Sequence, residues 1–146
     1  MRIIIDGDAC PVIDLAESIA HKFNIELVLF CDYNHNIKLN YGRVMKVDQS
    51  YQSVDMKIIN FAKRKDIIIT DDYGLASLAL SKKASAINSK GKIYTDKNID
   101  TLLMKRHINK KIRRAGGRHP TAKKRSKKDD EKFKINLIRL IKDIKW

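Results

Sequence analysis

Apolar residues follow two rhythms along the chain. Ile3-Ile4-Ile5 and Ile67-Ile68-Ile69 are unbroken β-branched runs, the pattern of strands covered on both faces. Glu26 to Phe30 predicts another strand, and Val44 to Val47 and Ser85 to Asn88 predict weaker ones. Between them, Val12, Leu15, Ala16, Ile19, Ala20 and Phe23 recur at helical spacing, with Pro11 placed for the first turn. Val54, Ile58, Ile59 and Ala62 predict a helix over 53–63, and Leu75, Leu78 and Ala79 another over 75–80. A longer helix carries Ile99, Leu102, Leu103, Ile108 and Ile112, with Thr95 or Asp96 as its N-cap. Asp32 to Tyr41, rich in Asn and Asp, reads as a loop. Phe133, Leu137, Leu140, Ile141 and Ile144 mark one face of a last helix, opened by a capping-box-like pair, Ser126 and Asp129. Strands alternating with helices predict an α/β fold with a mainly parallel sheet. Such sheets place ligands outside the carboxyl ends of their strands. Ile3-Ile4-Ile5 runs directly into Asp6, and Ile67-Ile68-Ile69-Thr70 into Asp71-Asp72.

Composition changes this picture little, but charge changes it more. A 146-residue chain with 43% hydrophobic residues suits one domain with a real core. No apolar run approaches the roughly 20 residues that span a bilayer. The N-terminal apolar run of three residues is too short for a signal-peptide core of about 7–15. A cytoplasmic protein with no membrane partner is expected. Cys10 and Cys31 match no zinc spacing and are expected as reduced thiols, Cys10 in packing. Residues 105–128 hold twelve Lys or Arg and no acidic residue, whereas residues 1–104 balance fourteen basic against thirteen acidic. That local excess attracts polyanions, of which nucleic acid is the commonest in a cytoplasm. Ala115-Gly116-Gly117-Arg118-His119-Pro120 breaks the preceding helix. The expected organisation is a body over 1–114, a basic mobile loop over 115–128, and a helix over 129–146 packing on the same body.

The chemistry lies in carboxylates. Asp6 and Asp8, at i and i+2 of extended chain, point to one face. Crowded carboxylates drive one another toward protonation unless a cation separates them. Mg²⁺ or Mn²⁺ suits such a set, because hard divalent ions favour oxygen ligands. Asp72 or Asp71 arrives at the end of the second isoleucine strand, and Asp55 near the start of the helix before it. Singly, each Asp is as well explained as a cap or turn residue. His21, His35, His107 and His119 lack metal-ligand spacing and read as surface or loop residues. Tyr73 is placed to stack on a base or to pack, and Trp146 to pack the last helix.

Asp6-Gly7-Asp8-Ala9-Cys10-Pro11-Val12 resembles the opening motif of the YaiI/YqxD family of uncharacterised bacterial proteins. The resemblance continues through Val54-Asp55, Ile69-Thr70-Asp71-Asp72-Tyr73-Gly74-Leu75-Ala76 and Gly91-Lys92-Ile93-Tyr94-Thr95. Arg113-Arg114-Ala115-Gly116-Gly117-Arg118 and Lys124-Arg125 extend it over nearly the whole chain. That family is similar to PIN-like domains, which include metal-dependent ribonucleases. The resemblance implies a three-layer PIN-like fold, with the PIN acids falling on Asp6, Asp55 and Asp72. Asp71 falls on a variable position, and Asp8 is a feature of the family. The further acid that PIN nucleases often carry falls on Gly74, so the site would recruit Asp8 instead or be catalytically weak.

The function so implied is a metal-dependent nuclease acting on RNA. Asp6, Asp8, Asp55 and Asp72 would hold Mg²⁺ or Mn²⁺. Arg113, Arg114, Arg118, Lys124 and Arg125 would hold the phosphate backbone, which positions a strand without reading it. One alternative is a nucleic-acid-binding protein with a vestigial site. The other is a haloacid-dehalogenase-type phosphatase with Asp6 as nucleophile, disfavoured by Cys10 two residues after Asp8 and by Pro11 next to it. Oligomeric state is left open by the sequence.

Overall fold

A computed structural model describes residues 1–8, 10–51, 53–116 and 124–145. The strands are β1 (Arg2–Asp6), β2 (Glu26–Asp32), β3 (Arg43–Val47), β4 (Ile67–Ile69) and β5 (Ser85–Ile87). The helices are α1 (Ile13–Lys22), α2 (Val54–Phe61), α3 (Tyr73–Ser81), α4 (Asp96–Arg114) and α5 (Lys127–Lys145). The strands form one sheet, ordered β3-β2-β1-β4-β5, in which every neighbouring pair is parallel.

The unbroken isoleucine runs are explained by the central position of β1. Ile3 and Ile5, with Leu27, Leu29, Ile67 and Ile69 in register beside them, face a cluster built from α1 and α5. Ile4, Val28, Phe30 and Ile68 face the opposite cluster, built from α2, α3 and α4. Alternate residues of one strand therefore enter two separate cores, so no position is spared for a polar side chain. The result is three layers, helices–sheet–helices, consistent with a three-layer PIN-like fold.

Local chemistry accounts for most element ends. Ser53 caps α2 by accepting from Met56 N, and Thr95 caps α4 in a capping box with Asn98. Two expectations shift. Val12, not a residue before Pro11, is the N-cap of α1, so Pro11 lies outside the helix. The strand expected to end at Phe30 continues to Asp32, because β3 pairs with it as far as Val47.

The last helix is part of the body. Phe133, Leu137, Leu140 and Ile141 of α5 are buried in the core shared with α1. Gly91 lets it approach: this residue has φ +87°, and a Cβ there would sit 2.5 Å from Phe133 N. Asn136 Nδ2 donates to Gly91 O at 2.6 Å. At the other end of the sheet, buried Asp66 accepts from the backbone and guanidinium of Arg2, the latter at 2.7 Å. The expected packing of Trp146 lies outside the described residues. Among those described, no helix is long and apolar enough to cross a membrane.

The topology fixes where a ligand belongs. The chain builds outward from β1 through β2 to β3, then crosses to β4 on the other side of β1. Strand order thus reverses between β1 and β4, and the crevice beyond their carboxyl ends is the expected site.

Candidate metal centre

The crevice at the β1/β4 switch is an acidic cleft of about 190 Å³. Asp6, Asp8, Asp71 and Asp72 line it, together with Thr70, Cys10 and Ser89. Gly7 makes the Asp-x-Asp turn feasible. Its N–H donates to Phe30 O at 2.8 Å, and a Cβ would lie 2.8 Å from that same oxygen and 2.6 Å from Leu29 Cδ2. The bare backbone therefore hugs β2 while Asp6 and Asp8 both reach the cleft.

Thr70, almost wholly buried, joins the two strand ends. Its hydroxyl donates to Asp6 Oδ2 at 2.9 Å and accepts from Asp72 N at 3.0 Å. Asp72 is both a cap and a site residue. Its Oδ1 accepts from Gly74 N at 2.8 Å and Leu75 N at 3.3 Å, so it starts α3 while facing the cleft. Asp71 is engaged differently, accepting from Ser89 N at 2.8 Å and Ser89 Oγ at 2.9 Å. It fastens the segment after β5 to the cleft wall.

Asp55, in the first turn of α2, does not line the cleft but is coupled to it. Burial pushes its carboxyl pKa up, as do the charge of Asp72, a hydrogen bond to Asp72 and the charge of Asp8. Two carboxyls can hydrogen-bond only by sharing a proton. Asp6 is raised further, to about 6, chiefly by burial and then by the charges of Asp55, Asp8 and Asp72, against the opposing Thr70 hydrogen bond. The four predicted acids thus form one electrostatic unit.

Further residues join it that the sequence pattern did not single out. His35 Nδ1 lies 2.7 Å from Asp32 Oδ1 and 3.1 Å from Asp8 Oδ1. The hydrogen bond to Asp32, with the charges of Asp8 and Asp32, raises its pKa. His35 does sit in a loop, but it is not isolated. An imidazole Nδ1 carries one N–H. Given to Asp32, it leaves Asp8 Oδ1 buried from solvent and without a hydrogen bond. Asp8, Asp32 and His35 each offer a ligand atom within 4.8 Å of the others. The missed signal was that β2, like β1, ends in an acid. The other omission is Arg106 of α4, whose Nη1 lies 3.5 Å from Asp72 Oδ1.

Carboxylates crowded at one cleft, with the pKa values of Asp6 and Asp55 raised and Asp8 Oδ1 buried without a hydrogen bond, fit a hard divalent cation. Cys10 also faces the cleft; burial pushes its thiol pKa up to about 11, and a soft sulfur ligand does not suit a hard divalent cation. Tyr73 packs edge-on against buried Tyr94, ring centroids 6.1 Å apart.

The predicted phosphate-binding residues fall into three groups. Arg113, Arg114 and Lys124 are exposed. Arg125 is not free for a strand: it pairs with Asp130 at 2.6 Å and donates to Ser89 O, tying the approach to α5 onto the cleft wall. Arg118 lies outside the described residues, as does His119.

Residues 4–143 match the model of a family described as "Uncharacterized BCR, YaiI/YqxD family". The chain belongs to the YaiI/YqxD family. Curated relatives are named only as UPF0178 proteins. That of Clostridium kluyveri is 50% identical over 97% of this chain and 93% of its own. That of Clostridium novyi is 48% identical over 99% and 97%, and that of Clostridium tetani 48% identical over 97% of each. No solved structure matches the chain. Membership in YaiI/YqxD thus names relatives without a reaction, and the chemistry rests on the cleft.

Proposed function

We propose that the chain is a metal-dependent phosphodiesterase acting on RNA, with Asp6, Asp8, Asp55 and Asp72 holding Mg²⁺ or Mn²⁺. The observation that carries this reading is the convergence of Asp6, Asp8 and Asp72 on one cleft at the strand-order switch, electrostatically joined to Asp55. The resemblance to PIN-like ribonucleases at these positions supports it. A bound divalent ion supplies a water of lowered pKa and polarises the phosphoryl oxygen.

The chain's own groups do the positioning. Thr70 holds Asp6 by one oxygen and leaves the other for the cleft. Backbone N–H groups of α3 hold Asp72 Oδ1 in the same way. Arg113, Arg114 and Lys124 would bind phosphates beyond the cleft.

The test is cleavage of labelled single-stranded RNA in Mn²⁺ by the wild type and an Asp6→Asn/Asp72→Asn double variant. Asn is as good an N-cap as Asp, so α3 keeps its start while the charge goes. The reading expects cleavage by the wild type alone. Equal cleavage by both proteins would overturn it.

A further inference from the structure

Helix α4 changes character along one face. Ile99 is buried, and Leu102 and Leu103 pack against the same core as α2 and α3. Continued at helical spacing, that face carries Arg106, Lys110 and Arg113, all exposed. The stripe that docks the helix therefore becomes basic where the helix runs past the body. From Arg106 to Arg113 it extends about 10 Å.

The stripe begins at the acidic cleft. Arg106 Nη1 is 3.5 Å from Asp72 Oδ1, and it passes over Gly74, where a Cβ would lie only 3.8 Å from it. Asp72 does not need this cation, since its Oδ1 already accepts from two backbone N–H groups. The Arg106 side chain is 56% exposed, so the pair is loose and weakly held. Its planar fork of five donors matches a phosphate better than the single distant oxygen it now meets.

We propose that Arg106 binds the phosphate that enters the acidic cleft, and that Lys110 and Arg113 carry the next stretch of the same single strand. This rests on the phosphodiesterase reading of the cleft and names the direction in which its substrate lies. Arg106 supplies positive charge at the rim of the cleft, beside Asp72. It thereby lets an anion approach a site that four acids would otherwise repel.

The test uses full-length protein, Mn²⁺, inorganic phosphate and a cleavage-resistant 2′-O-methyl RNA strand, with calorimetry and salt-dependent anisotropy as readouts. Arg106→Ala is expected to weaken phosphate binding by about tenfold or more while keeping Mn²⁺ binding, and Arg106→Lys to recover only part. Lys110→Ala/Arg113→Ala is expected to leave inorganic phosphate unchanged, weaken the RNA strand, and lower the salt slope by about one to two. Phosphate binding in Arg106→Ala equal to wild type overturns the proposal, as does an unchanged salt slope in the double variant. If the wild type binds no Mn²⁺, the metal reading fails by itself. Phosphate titrated without metal then decides Arg106: dependence on the arginine sustains its role, and no binding ends it.

Discussion

Removing one charge from the cleft is expected to make the metal-free protein more stable. Asp6 has a folded pKa of about 6 against an ordinary value of 3.8. The sign follows from the raised value: below the unfolded pKa both states hold the proton and no cost arises. As pH rises from about 4 to 6, the unfolded chain releases its proton first, and stability falls. Above 6 the full cost is present, about 3 kcal/mol from the shift. Asp6→Asn removes the ionisation and keeps an oxygen that can accept from Thr70. Allowing for solvent entry and an imperfect amide fit, a gain of about 2 kcal/mol at neutral pH is expected, or roughly 4–8 °C in Tm. The assay is thermal unfolding in EDTA at pH 7.5 and at pH 3.5, then at pH 7.5 with Mn²⁺. The variant should melt higher at pH 7.5 in EDTA and level with the wild type at pH 3.5. Excess Mn²⁺ should raise the wild type, by about 2.7 kcal/mol at a hundredfold excess over Kd, and leave the variant unmoved. An Asp6→Asn variant less stable than wild type in EDTA at pH 7.5 would refute the account of a carboxylate penalised by burial and by its acidic neighbours.

Other positions give independent checks. Gly7→Ala places a methyl 2.8 Å from Phe30 O and should cost about 1–3 kcal/mol in urea unfolding, although Gly7 needs no positive φ. Asp66→Ala leaves the Arg2 guanidinium, 16% exposed, without its carboxylate and should cost about 3 kcal/mol by the same measurement. With its pKa near 11, Cys10 should alkylate with iodoacetamide at neutral pH about a hundredfold more slowly than an ordinary thiol of pKa 9.0, while unfolding in guanidinium should restore the rate.

The fold was legible where the pattern carried a single meaning. A triple isoleucine ending in Asp reads the same in sequence and structure, because a β-branched run covered on both faces has few other homes. The helical face of Phe133, Leu137, Leu140 and Ile141 was equally plain. Asp32 was lost because acids and asparagines after Phe30 read as loop, and only pairing with β3 holds that segment extended. His35 and Arg106 come to the cleft from a loop and from the exposed part of a helix, where local pattern places no tertiary constraint. For Arg125 the charge was visible in the sequence but not Asp130, which occupies it. Asp72 shows that a cap and a cleft residue need not be competing explanations: one carboxylate does both.

The tie from Arg125 to Ser89, and from Ser89 to Asp71, has a consequence for the order of synthesis. The ribosome completes all five strands before it makes α5. By then the residues that pair β1 with β4 and bring Asp6 and Asp72 to the same crevice are all made. The segment that clamps Ser89 and seats Gly91 against α5 has yet to be made. The cleft wall is therefore finished last: until Arg125 and α5 are made, Ser89 is held to the cleft by Asp71 alone.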